Sequence, residues 1–169
     1  MRKLFFGTAI LLVFSIHLQS CKIYSFSGAN ISSDIKTVTV DIFENKAPNA
    51  PVYYNQTLTD KLKFKLVSEA NLRQETAGGD VYFKGSVVSY SVAALAPTAQ
   101  TRTGVNRLNI TVHVDFVNNK DAKDKWSENF TRYAEFPATE LLNNREGQLI
   151  EEINKQLIDD IFNRAFVKW

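Results

Sequence analysis

Arg107–Asn118 reads Arg-Leu-Asn-Ile-Thr-Val-His-Val-Asp-Phe-Val-Asn, with Leu108, Ile110, Val112, Val114 and Phe116 alternating against Asn109, Thr111, His113 and Asp115. Side chains change face at every residue of a strand, so this period describes a strand with one face in a core and one polar face. The polar stretch Asn119 to Lys125 predicts a hairpin turn into a second strand, Trp126 to Phe136, rich in aromatic and β-favouring residues and ended by Pro137. A hairpin with one apolar face needs a cover. The following sequence supplies it: from about Asn144 to Phe166, Leu149, Ile150, Ile153, Leu157, Ile158, Ile161, Phe162 and Ala165 form a stripe at helical spacing. Glu151, Glu152, Lys155, Asp159 and Asp160 lie opposite, as a solvated face rather than a carboxylate metal site.

Reading upstream, Val81, Phe83, Val87, Val88, Tyr90 and Val92 predict a long strand after a Gly78-Gly79 turn. Its alternation slips one place at Val87-Val88, which a bulge between Gly85 and Val88 explains. Leu58, Leu62 and Leu66 fall at helical spacing from Asn55 to about Asn71. Before the prolines of Asn45 to Pro51, Val38, Val40 and Ile42 alternate with Thr37, Thr39 and Asp41 as a first strand. The order strand, helix, three strands, helix predicts an α+β domain, a mixed four-stranded sheet with two helices packed on one face. The loop Ala94 to Asn106 is long enough to suggest a special use.

The N-terminus has a different character. Met1-Arg2-Lys3 is basic and Leu4 to Leu18 is almost unbroken apolar sequence, shorter than the roughly 20 residues that span a bilayer. This pattern predicts a signal peptide over residues 1–20. Leu18-Gln19-Ser20-Cys21 resembles the lipobox of bacterial lipoproteins, and Cys21 is the only cysteine, so no disulfide partner accounts for it. Cys21 is therefore the expected lipidation site, residues 21–36 an extended lead from the lipid, and residues 37–169 a single domain. Removing Arg2 and Lys3 leaves 18 basic against 18 acidic side chains, formally neutral. Such a chain has no net charge with which to hold nucleic acid or an anionic surface.

The inventory for catalysis is thin. Past the signal peptide, His113 is the one histidine and Cys21 the one cysteine, which removes Cys/His catalysis and makes a zinc site of the usual nitrogen and sulfur ligands implausible. Gly78-Gly79 lacks the further glycines and lysine of a phosphate loop. No catalytic residue, metal or cofactor is expected, and the chain is read as a non-enzyme. His113 with Asp115 on one strand face is the sole candidate for a general base, set against an ordinary surface histidine. Lys84, Arg102, Arg107 and Arg132 could gather at one sheet edge and meet phosphate groups, or be scattered solvated charges. Tyr24, Phe26, Tyr53, Tyr54, Tyr82, Tyr90 and Tyr133 are many aromatics outside the core stripes, and tyrosine suits a protein interface as well as a core edge.

Several stretches together resemble the LptE family of lipopolysaccharide-assembly lipoproteins in its Bacteroidetes-like branch. They are Cys21-Lys22-Ile23-Tyr24-Ser25-Phe26-Ser27-Gly28-Ala29, the Val38 to Phe43 strand with Asn45 and Ala47-Pro48, Asn106-Arg107-Leu108, and Glu151-Glu152 through Trp169. The resemblance implies an outer-membrane lipoprotein that plugs the lumen of a large β-barrel, the LptD-type translocon. Lipopolysaccharide is a further partner in the proteobacterial branch, with no contact residue transferable here. Lys22 and Ile23 lack the acidic run that resembles a surface-export signal, which implies the periplasmic face. For a plug, the expected contacts are Thr98, Thr101 and Arg102 in the long loop and the outward tyrosines Tyr82 and Tyr90. The alternative is an independent periplasmic lipoprotein that binds a lipid or cell-wall ligand.

Overall fold

The computed structural model describes residues 31–96 and 104–167. The expected signal peptide, Cys21, Tyr24, Phe26, Thr98, Thr101 and Arg102 lie outside the described residues. The elements run β1 (Thr37–Val40), β2 (Glu44–Asn45), α1 (Tyr54–Ser68), β3 (Arg73–Gln74), β4 (Val81–Leu95), β5 (Val105–Asn118), β6 (Lys125–Pro137) and α2 (Leu142–Phe166). The α+β class with two helices is as expected. The sheet is six-stranded instead of four-stranded, in the order β3-β1-β4-β5-β6 with β2 also on β4. The two additional strands, β2 and β3, are two residues each, too short to carry a period of their own.

The long hairpins β4-β5 and β5-β6 are antiparallel, and β1, β2 and β3 pair in parallel at the other side. β1 and β2 are two pieces of one lane beside β4. Asp41 N–H donates to Phe83 O (3.0 Å) and Lys46 N–H to Val87 O (2.9 Å), on either side of the break. At the break the expected alternation fails: Ile42 is 57% exposed, while Phe43 has no exposed surface. Polar groups of α1 hold this reversal. Phe43 N–H donates to Thr59 Oγ1 (3.0 Å), and Asn55 Nδ2 donates to Phe43 O (2.7 Å). The inverted ring fills the space above Gly85, where an added Cβ would come within 2.6 Å of it. Glycine at 85 is thus a steric necessity.

The bulge lies where the slip in the sequence puts it, between Val87 and Ser89. Before it Val81, Phe83 and Val87 face inward, and after it Tyr90 does. Both helices cover that inward face and touch each other. Leu58, Leu62 and Leu66 of α1 and Ile153, Leu157 and Ile161 of α2 are wholly buried with Leu108, Ile110, Val112 and Val114 of β5. One end of the core is aromatic, with Phe116 5.0 Å from Phe83, 5.3 Å from Trp126 and 6.3 Å from Phe166 between ring centroids. Burying each such side chain contributes roughly 1.5 to 3 kcal/mol, so this layer carries the fold. No helix among the described residues is long and apolar enough to cross a membrane.

Candidate functional site

The face of the sheet away from the helices is open, and its chemistry is set by the polar half of each alternation. Across β4, β5 and β6 it presents Ser91 beside Asn109, Thr111 beside Thr131, His113 beside Asn129 and Asp115 beside Ser127. These side chains bond to one another across the strands. Thr111 and Thr131 hydroxyls are 2.9 Å apart, His113 Nδ1 lies 2.8 Å from Asn129 Oδ1, and Ser127 Oγ donates to Asp115 Oδ1 at 2.6 Å. Charge is balanced on this face: Arg107 pairs with Glu135 (2.5 Å) and lays its guanidinium 3.9 Å over the Tyr133 ring. Lys84 stands in register with Asp115. The result is a neutral plate of hydroxyl and amide groups fixed by cross-strand contacts.

His113, Ser127 and Asp115 come together here, with Ser127 Oγ 3.1 Å and Asp115 Oδ1 3.3 Å from His113 Nε2. The arrangement is the wrong way round for nucleophilic catalysis. In a serine triad the carboxylate holds the far ring nitrogen and the near one takes the serine proton. Here the carboxylate crowds the near nitrogen, Asn129 holds the far one, and the serine proton is directed at Asp115. Sequence reading had missed Ser127 and Asn129, although their pairing with Asp115 and His113 follows from the hairpin register.

Of the two readings of the basic residues, the described positions support scattered charges; Arg102 lies outside the described residues. Arg107 and Lys84 lie on the open face, yet their positions on or opposite β4, 93 and 84, are nine residues apart, roughly 30 Å of strand. Arg132 projects to the helix side and forms a two-pronged pair with Asp160, at 2.5 and 2.7 Å. Among the described residues every arginine is matched to a carboxylate, Arg73 to Glu75, Arg145 to Glu140 and Arg164 to Glu128 completing the set.

The tyrosines divide. Tyr82 is on the open face, half-buried, its hydroxyl donating to Asp41; that bond and partial burial push its phenol up to about 12. Tyr133 is 47% and Tyr53 56% exposed. Tyr90, expected to point outward, is 4% exposed: the bulge at Val88 turns it inward against Tyr54. Burial and a 2.6 Å bond to Glu146 both raise its pKa. Tyr54 is wholly buried and donates to Asn154 Oδ1 at 2.7 Å. The acidic residues of α2 serve as ion-pair partners, Glu151 to Lys61 (2.7 Å) and Asp159 to Lys65 (2.8 Å). These pairs rim an open groove of about 550 Å³ between the helices, where Phe64 is 73% exposed. Among the described residues no group of three or more His, Cys, Asp or Glu side chains is placed to hold a metal.

The fold is shared with solved structures of low sequence identity. A minor lipoprotein from Acinetobacter baumannii superposes with a TM-score of 0.51 at 14% identity, over 78% of this chain and 92% of that one. A hypothetical protein from Chlamydia trachomatis gives 0.53 at 7% identity, over 78% and 98%. A Xanthomonas campestris protein gives 0.53 at 9% identity, over 79% and 85%. No curated protein matches the chain by sequence. The sequence model of the family described as LptE, lipopolysaccharide-assembly, matches residues 35–165.

Proposed function

The chain belongs to the LptE lipopolysaccharide-assembly family, and from that membership we propose that it is a lipid-anchored subunit that plugs an LptD-type β-barrel at the periplasmic face of the outer membrane. The observation that supports enclosure is the open sheet face. An exposed sheet face tolerates lysine and glutamate freely, whereas one enclosed by protein must satisfy every polar group against another. This face carries neutral hydroxyl and amide side chains with its few charges balanced, a composition suited to pairing with the wall of a polar lumen. The lipid on Cys21 tethers the domain, since stable anchoring needs more than one acyl chain and a processed lipoprotein supplies them. Thr98, Thr101 and Arg102, together with Tyr82, remain the proposed contacts. Tyr90 acts from beneath, holding β4 against the helices. The subunit contributes structure and assembly and no catalysis.

The test is photo-crosslinking in living cells, with a photoreactive residue at Thr98, Thr101 or Asn109 and a buried control at Leu157. The expected result is a high-mass adduct containing an outer-membrane barrel protein from the first three and none from Leu157. Adducts from none of the three would defeat the plug. The groove beside Phe64 favours the other reading, an amphipathic ligand bound by the isolated domain, and that reading would then take its place.

A further inference from the structure

β6 ends the sheet, and among the described residues no strand or backbone group pairs with its outer edge. It runs in unbroken register with β5 from Lys125 to Pro137, with no bulge and no proline before its last residue. Native edges are kept from pairing by shortness, bulges, prolines, charged side chains (inward-pointing ones among them) or a covering element. The opposite edge, β3, is two residues long. β6 has none of the first three protections, and its inward charges are matched: Glu128 to Arg164 at 2.6 Å and Arg132 to Asp160 at 2.5 Å.

The order of residues along this edge is complementary to itself. Laid antiparallel on a second copy with Phe130 opposite Phe130, the strand Lys-Trp-Ser-Glu-Asn-Phe-Thr-Arg-Tyr-Ala-Glu from 125 to 135 sets Glu128 against Arg132 and Lys125 against Glu135, each twice by symmetry. On the helix side the charges then alternate as Arg164, Glu128, Arg132 and Asp160, the last two from the second copy. The half-buried ring of Phe130 meets its symmetry mate at the seam, while Trp126, 5.7 Å from Phe130 in the same chain, falls opposite Ala134 of the second copy. On the open face Asn129 falls opposite Thr131 and Ser127 opposite Tyr133, extending the neutral plate. A shift of two residues in either direction breaks both charge matches. We propose that the β6 edge is a self-association surface, through which two copies form one continuous sheet about a two-fold axis at Phe130. It does not rest on the barrel reading and concerns copies outside a barrel, since an enclosed plug has no free edge for a second copy; the matching residues belong to one strand of this chain.

Disulfide trapping of the full chain, in intact cells and after detergent extraction, reads the register. Directly opposed residues of an antiparallel pair have Cα atoms about 4.5 to 5.5 Å apart, within disulfide reach. The double variant Asn129→Cys with Thr131→Cys should therefore give a band of twice the monomer mass under oxidation. Each single variant should give little, because its own symmetry mate lies roughly 8 Å away. The parent chain, with only Cys21, is the background. Phe130→Cys should also trap alone. Lys125→Glu should lower trapping of the double variant by roughly fivefold, by placing like charges opposite at both ends of the seam. Equal trapping of single and double variants, no trapping, an adduct with a different protein, or indifference to Lys125→Glu would each overturn the pairing. The photo-crosslinks to a barrel from Thr98, Thr101 and Asn109 stand or fall separately.

Discussion

Tyr54 and Asn154, 100 residues apart in sequence, share a 2.7 Å hydrogen bond between α1 and α2, and neither side chain has exposed surface. Among the described residues the amide Nδ2 of Asn154 has no partner, so the tyrosine hydroxyl satisfies the oxygen of this buried amide and nothing satisfies its nitrogen. Tyr54→Phe should cost about 1 to 3 kcal/mol in urea unfolding, since it strands a buried acceptor. Adding Asn154→Leu should restore most of the loss by removing the stranded group. A double variant weaker than Tyr54→Phe would show that the amide is satisfied by something else.

Gly85 and Phe43 form a second dependence between distant residues. A Cβ at 85 would lie 2.6 Å from the Phe43 ring and 2.7 Å from His113 O, and the backbone oxygen cannot give way. Gly85→Ala should destabilise by about 1 to 3 kcal/mol. Combining it with Phe43→Leu relieves the ring contact alone, so the expected recovery is partial. Full recovery in a thermal melt would place the whole clash on the ring.

The long hairpins and α2 were legible in the sequence because their signals are local and repeat: five apolar residues of β5 alternate, and the α2 stripe runs through more than four turns. The bulge was legible as a phase slip. The two-residue strands were not, because Glu44–Asn45 and Arg73–Gln74 pair only where neighbouring elements bring them together. Ile42 and Phe43 exchanged faces for a similar reason, Phe43 being held inward by Thr59 and Asn55 of α1. Tyr90 was misread as outward because phase after a bulge depends on which residue is looped out. Of the candidate site, the polar composition of the β5 face was visible beforehand. Its balance was not, since Arg107 meets Glu135 and Arg132 meets Asp160 through register and helix placement.

Asp80 gives the fold an acid dependence. It accepts the N–H groups of Lys36 (2.9 Å) and Thr37 (3.0 Å) and pairs with Lys120 (2.9 Å), fastening the lead into β1. The Lys36 N–H first, then Lys120 and Thr37, hold its carboxyl well below the usual carboxylate range. The unfolded chain takes up this proton near the ordinary aspartate value of about 3.9, the folded chain only at lower pH. The contribution is therefore complete above about pH 5 and is lost as pH falls through the folded value. Asp80→Asn should unfold at lower urea at neutral pH and show a shallower decline on acidification. Parallel curves for the two proteins would assign the acid sensitivity elsewhere.

The open face yields the prediction that separates enclosure from exposure. Asn109 and Ser91 lie opposite each other on it, away from the core, with Ser91 exposed. A single glutamate at either position meets water in the free domain, where surface substitutions shift stability by no more than about 0.5 kcal/mol. Against a lumen wall the same carboxylate has no matched partner, and an unpaired buried charge costs several kcal/mol. Each 1.4 kcal/mol is about tenfold in an equilibrium constant, so Asn109→Glu and Ser91→Glu should each lower barrel recovery in affinity purification by about tenfold or more. Glutamate at Val67, exposed on the helix side, is the control for a surface charge as such. Unchanged urea midpoints with lost barrel recovery at 91 and 109 alone would locate the contact on the sheet. Full recovery in both variants would mean that this face stays in water, leaving the loop and the helices to carry any docking.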